Sequence, residues 1–217
     1  MVGSGNSILI IRIWGRFMNK LYAFFGLEQI DRQTLDHLLH YLPPYRQEKA
    51  LRYRQEIDRK TCVMAYLLLI HALYCNYGIS EPKFSFGSAG KSYLADHPDV
   101  HFNISHCPKG CICGISDSPI GVDIQDVRPF SQEIAKHCCS EDELNLLVEA
   151  ANPAMEFTRM WAMKESYLKM TGAGITRYLS AIDTTKLTSK IQTDMYNGCC
   201  IAVASAESFL GELICLN

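Results

Sequence analysis

The 217-residue chain lacks a strong charge of either sign, an export signal, a Cys-x-x-Cys pair and an internal repeat. Each absence excludes something. With 21 Lys and Arg against 23 Asp and Glu, the net charge of −2 provides no broad basic field for nucleic acid. Residues 8–14 are apolar but interrupted by Arg12, with no basic start and no small-residue cleavage site, which argues against a signal peptide. The apolar stretch 62–73 is too short to span a bilayer and continues a polar helical run, so it reads as a buried helix segment. No association with nucleic acid or membrane is expected. The missing Cys-x-x-Cys argues against a redox or zinc protein built on the ten cysteines. Two of those cysteine pairs are adjacent, Cys138-Cys139 and Cys199-Cys200, and without an export signal they read as reduced, cytoplasmic thiols. Cys107, Cys111 and Cys113 beside His106 match no common structural zinc spacing.

With 48% apolar and 20% charged residues, the chain holds enough apolar material for one large core or two small ones. Met18 opens a strand over 20–25, and residues 1–17 read as an extension outside the fold, either added or from an upstream start site. Leu35, Leu38, Leu39 and Leu42 recur at helical spacing and stop at Pro43-Pro44. Residues 45–77 contain no Gly or Pro and pass from basic to apolar, which predicts one long helix entering the core and ending at Gly78. Short strands are expected at 83–86, 101–105, 111–116 and 120–125. Ser140-Glu141-Asp142-Glu143 is a capping box, and Asn152-Pro153 opens a further helix that Gly172 closes. Strands at 181–185 and 200–204 complete an α+β chain whose element order suggests two similar halves, 18–105 and 106–217.

Asp123 and Gln125 alternate onto one face of a strand, and Glu165 on the last helix offers a further oxygen. Magnesium takes few protein carboxylates and leaves the rest of its shell to water and phosphate, so such a set suits it. Taken alone, an Asp on a strand end and a Glu on a helix are more often solvated or capping groups. Lys169 lies four residues after Glu165, an ordinary surface pairing, although Trp161, Glu165 and Lys169 share one row of the helix. His106, after the apolar strand that ends at Ser105, is as readily structural as functional.

Gly121-Val122-Asp123-Ile124-Gln125, followed about forty residues later by Trp161-Ala162-Met163-Lys164-Glu165-Ser166-Tyr167-Leu168-Lys169, resembles the paired signatures of 4'-phosphopantetheinyl transferases. The resemblance extends to Gly90-Lys91-Ser92-Tyr93-Leu94, to His101-Phe102-Asn103-Ile104-Ser105-His106, and to the basic residues Lys49, Arg52, Arg54, Arg59 and Lys60. Within the family it is to the monomeric, two-lobed type that activates surfactin synthetase. It implies two α+β lobes related by a pseudo-twofold. It also implies transfer of the phosphopantetheine arm of coenzyme A to a serine of an apo acyl, peptidyl or aryl carrier protein, with release of 3',5'-ADP. Asp123, Gln125 and Glu165 would hold Mg2+ or Mn2+. Glu165 would take the serine proton, directly or through a water on the metal, and Lys169 would stabilise the leaving group. Arg52, Lys60, Lys91 and His106 resemble phosphate-binding positions, and Ser105 one beside the adenine and ribose. Many relatives have Glu where this chain has Gln125, which makes its third ligand neutral. The opposing reading is a coenzyme A-binding or carrier-binding homologue with impaired chemistry. Residues 128–150, with Phe130 and Leu146 among them, are candidates for carrier contact or simply for core.

Overall fold

A computed structural model describes residues 10–11, 19–87, 90–174, 179–206 and 212–216. The short strand β1 (Ile10–Ile11) falls in the stretch read as an extension; the rest of 1–17, like Met18, lies outside the described residues. β2 (Lys20–Phe24) follows, then a 3-10 turn and α1 (Arg32–Leu39), whose first-turn amide of Thr34 is capped by the Asp31 carboxylate.

The single helix expected over 45–77 is two: α2 (Pro44–Leu51) and α3 (Glu56–Tyr77). The break has a packing cause. Tyr53 and Ile57 pack against the core cluster of Leu35, Leu39, Leu42 and Val63, and the Arg59 guanidinium donates to the Tyr53 carbonyl at 3.1 Å. Gln55 is extended, and Glu56 and Asp58 then suit the positive start of α3. That pair of acids was the available boundary signal. α3 is apolar nearly all round because it lies between α1 and α2 on one side and the sheet on the other; it stops at Gly78, whose φ of 67° is left-handed.

β3 (Phe84–Phe86) and β4 (Ser92–Leu94) form a hairpin, followed by β5 (His101–Cys107), β6 (Gly110–Ser116) and β7 (Ile120–Asp126). The capping box forms as written: α4 (Gln132–Cys138) is followed by α5 (Glu141–Glu149) with Ser140 and Glu143 in reciprocal bonds. α6 (Pro153–Thr171) starts at the Asn152 cap and ends at Gly172. The strand expected at 181–185 is instead two 3-10 turns, Leu179–Ala181 and Thr184–Lys186, because their polar groups fold around a buried ion pair described below. β8 (Ile191–Tyr196), β9 (Cys199–Ser205) and β10 (Glu212–Leu216) end the order.

Two main sheets result. One runs β1-β10-β2-β6-β5, with α3 on its face; the other runs β7-β9-β8, with α6 packed across it. They meet where β5 lies beside β7. No backbone ladder joins those two strands; the Asn103 side-chain oxygen accepts from the Val122 amide at 2.9 Å and the Ser105 hydroxyl from the Ile124 amide at 3.4 Å. Asn103 and Ser105 thus satisfy donors that a buried strand edge would otherwise leave unpaired.

α6 crosses β7 at Gly121. A Cβ there would stand 2.0 Å from the Ser166 carbonyl oxygen and 2.2 Å from the Met170 amide, both backbone atoms of α6. Gly121→Ala is therefore expected to lower stability by about 3 kcal/mol, read as a fall in the urea midpoint. A change within about 0.5 kcal/mol would show that the helix is not seated on that strand.

Candidate active site

β7 turns Val122 and Ile124 into the core and Asp123 and Gln125 toward α6. Asp123 is almost fully buried. Its Oδ1 accepts from the Ser105 hydroxyl at 2.7 Å and the Lys169 ammonium at 2.5 Å, and its Oδ2 accepts from the Gln125 amide at 2.9 Å. Ser105 also accepts from Lys169 at 3.0 Å and from the Ile124 amide, so its donor and both lone pairs are spent inside the protein. The Glu165–Lys169 spacing does not end as a surface pair: Lys169 reaches across to Asp123.

Glu165 is left with a deficit. It is 7% exposed, and its buried Oε1 has no hydrogen-bond partner. Burial first, then the Asp123 charge, lift its pKa above the usual carboxylate range, while Lys169 pulls the other way. A buried carboxylate oxygen without a donor, beside a second carboxylate, is the environment that a cation would complete. Asp123 and Glu165 fit a divalent ion with oxygen ligands, and Gln125 adds an amide oxygen nearby. No group of three or more His, Cys, Asp or Glu suited to a metal occurs among the described residues. Any metal here rests on two carboxylates. The three cysteines near His106 do not converge: Cys107 packs in one core cluster, Cys111 and Cys113 in another.

Glu165 and Lys169 open into a cleft of about 450 Å³ whose opposite wall carries Tyr45, Arg46 and Lys49. Its apolar floor includes Tyr66, Phe84 and Phe102. Arg46 lies 4.6 Å above the Tyr66 ring, and its Nε has no hydrogen-bond partner. Four cations (Arg46, Lys49, Lys91 and Lys169) face one carboxylate across this space, which suits a polyanion carrying a flat or apolar part. Lys91 is committed in part: its ammonium donates to the carbonyls of Met170 at 2.8 Å and Ile120 at 3.3 Å, and burial lowers its pKa. Arg52 is exposed, and Lys60 pairs with Glu56 at 2.8 Å; neither lines this cleft. His106 stands at the exposed end of β5 with its pKa lowered by surrounding protein, then by Lys169 and Lys49.

Residues 119–199 match the profile of the 4'-phosphopantetheinyl transferase superfamily. The 4'-phosphopantetheinyl transferase Sfp of Bacillus subtilis (strain 168) is 31% identical over 160 residues, which cover 72% of this chain and 71% of that one. The chain belongs to this superfamily. The L-aminoadipate-semialdehyde dehydrogenase-phosphopantetheinyl transferase of Saccharomyces cerevisiae is 30% identical over 70% of this chain and 61% of its own. The solved holo-[acyl-carrier-protein] synthase of Thermotoga maritima overlaps 42% of this chain and 64% of its own at 16% identity with a TM-score of 0.30, too little to carry an argument.

Arg46 and Lys49 were visible in the sequence only within a basic run, and Lys164 only as part of a motif. Arg46 and Lys49 are three apart at the start of α2, where Pro44 at the first helical position signals a new helix with both on one face. Lys164 is buried within the second motif. The Lys164 side chain is 2% exposed, and its three N–H groups are shared among four acceptors, the Glu143 carboxylate and the carbonyls of Cys138, Leu179 and Ile182, each at 2.7–2.8 Å. Glu143, fully buried, also accepts from the amide and hydroxyl of Thr184. Trp161 stays in its row on α6 and packs against Phe157 one turn back, which stacks on Phe130 at 4.5 Å. Leu146 stays 41% exposed.

The raised Glu165 pKa has a stability consequence of definite sign. The folded state holds this proton more tightly than the unfolded chain, so stability falls as pH rises through the two pKa values. Glu165→Gln is expected to stabilise the metal-free protein at pH 8 by on the order of 1 kcal/mol, with the gain vanishing at pH 3. Chemical denaturation at the two pH values measures it, and an equal gain at both would show that the charge is not the cause.

Proposed function

We propose that the protein transfers 4'-phosphopantetheine from coenzyme A to a serine of an apo carrier protein, with magnesium, and releases 3',5'-ADP. The observation that carries this reading is the unpartnered Glu165 oxygen beside Asp123 at the edge of a cationic cleft. The cleft's Arg46, Lys49 and Lys169 suit the phosphates of coenzyme A, and its aromatic floor suits the adenine. A divalent ion on Asp123 and Glu165 would neutralise charge on the diphosphate.

The chain's own groups supply the rest. Asp123 and Ser105 hold the Lys169 ammonium in place, where it stabilises the negative charge left on 3',5'-ADP. The carrier serine oxygen attacks the phosphorus bonded to pantetheine, the bond to the second phosphate breaks, and the serine proton passes to Glu165.

The packing of α3 on β2, β6 and β5, and of α6 on β7, β9 and β8, supports two α+β lobes related by a pseudo-twofold. A boundary between Ser116 and Ile120 keeps β5 paired with β6, although β10 returns to the first sheet. A monomer acting in the cytoplasm is the working assignment, and no helix among the described residues is long and apolar enough to cross a membrane.

Intact mass of a purified apo carrier protein, incubated with this protein, coenzyme A and magnesium, tests the reaction. The carrier is expected to gain one phosphopantetheine. Glu165→Gln or Asp123→Asn should slow the gain by at least about 10²-fold. Magnesium alone should raise the melting temperature of the wild type and not of Glu165→Gln. No gain with acyl and peptidyl carriers, despite measurable coenzyme A binding, would leave a binding protein.

A further inference from the structure

We propose that Cys107 and Cys199 form an oxidisable dithiol, a modification site at which a hydroperoxide cross-links the two main sheets. Cys107 ends β5 in the first sheet and Cys199 opens β9 in the second. Their sulfurs lie 3.7 Å apart although the residues are 92 positions apart in the chain. That is contact distance, and an S–S bond of about 2 Å brings the two sulfurs closer still.

Both side chains belong to the same core cluster, at 6% and 0% exposure, which restricts the oxidant to a small one such as hydrogen peroxide. The two thiols are not equivalent. The Cys199 thiol and the backbone amides of Lys109 and Gly110 donate toward the Cys107 sulfur and, against its burial, lower its pKa below the usual thiol value, while Cys199 is pushed up. Cys107 is accordingly the group that attacks and Cys199 the one that resolves. Cys111 and Cys139, pushed up to about 12 and about 11 by burial, lack this assistance.

The chemistry balances. The Cys107 thiolate takes one OH from hydrogen peroxide, and the other leaves as water with the proton that Cys107 released. The Cys199 sulfur then attacks the Cys107 sulfenic acid, the S–S bond forms, the S–O bond breaks, and the second OH leaves with the Cys199 proton as water. Two thiols are oxidised, and one peroxide is reduced to two waters. β7 pairs with β9 and packs beside β5, with Asp126 opposite Cys199, so the bridge would tie together the strands flanking Asp123 and Gln125.

The full chain is treated with hydrogen peroxide, alkylated, digested and mapped by mass spectrometry, with fragmentation that separates Cys199 from Cys200. A Cys107–Cys199 disulfide is expected, reversed by dithiothreitol and absent in Cys107→Ser and Cys199→Ala. A bridge closing so long a loop should raise the melting temperature of the oxidised wild type by on the order of 10 °C over its reduced form. The exposed Cys75 reports that the peroxide was effective. Oxidised Cys75 with Cys107 and Cys199 both still alkylated, or either one bridged to Cys200 or Cys215, overturns the proposal. Wild-type mapping decides this even if a variant fails to fold.

Discussion

The active-site helix depends on a lysine that touches no part of the proposed site. Lys164 is buried one residue before Glu165, and an ammonium in that position is tolerable only because four oxygens surround it. Those oxygens come from the end of α4, the start of α5, and the first 3-10 turn with the residue after it, so one charge draws three segments onto α6. Glu143 meets two needs at once: it closes the capping box at Ser140 and neutralises Lys164. Such a pair adds little net stability compared with apolar residues of the same size. Losing one partner, however, would strand the other charge at a cost of about 3–5 kcal/mol. Its contribution is to fix the rotation and height of α6, and with them the direction in which Glu165 and Lys169 leave the helix.

A second constraint sets the distance between α6 and β7. Gly121 lets the helix backbone rest on the strand, and two residues further on Asp123 is near enough to receive Lys169. The other side of β7 is held by Asn103 and Ser105, whose side chains stand in for a backbone ladder. Asp123 therefore sits at the crossing of three elements: its own strand, β5 through Ser105, and α6 through Lys169. Its orientation is overdetermined. Glu165, on the same helix, receives none of this support, and its energetic deficit in the metal-free protein is the counterpart of its availability.

The placing of the polar residues was more legible in the sequence than the architecture around them. The alternation of Asp123 and Gln125, and the spacing of Glu165 and Lys169, are local periodicities that survive folding, and so are the glycine and serine caps. What failed involved contacts distant in sequence. The break at 52–55 follows from where Tyr53 packs; the loss of a strand at 181–185 follows from carbonyls claimed by Lys164, and no local pattern reports that claim. β8 went unseen because its polar Gln192, Thr193 and Asp194 dilute the alternation of an edge strand. Basic residues were visible as a run, but only the fold separates Arg46 and Lys49, which line the cleft, from Arg52 and Lys60, which do not.

Gln125 shows how a single neutral side chain changes the balance. Its amide donates to the second oxygen of Asp123, leaving Asp123 with a partner on each oxygen before any metal arrives. A glutamate there would add a third negative charge beside Asp123 and Glu165, with Lys169 the one cation bonded to the group. The metal-free site would then carry more repulsion, and a cation would relieve more of it. With Gln125 the resting site is better balanced, so any drive to take up a divalent ion would come mainly from Glu165. Phosphate entering the cleft would add to the hold on such an ion beyond what Asp123 and Glu165 provide alone.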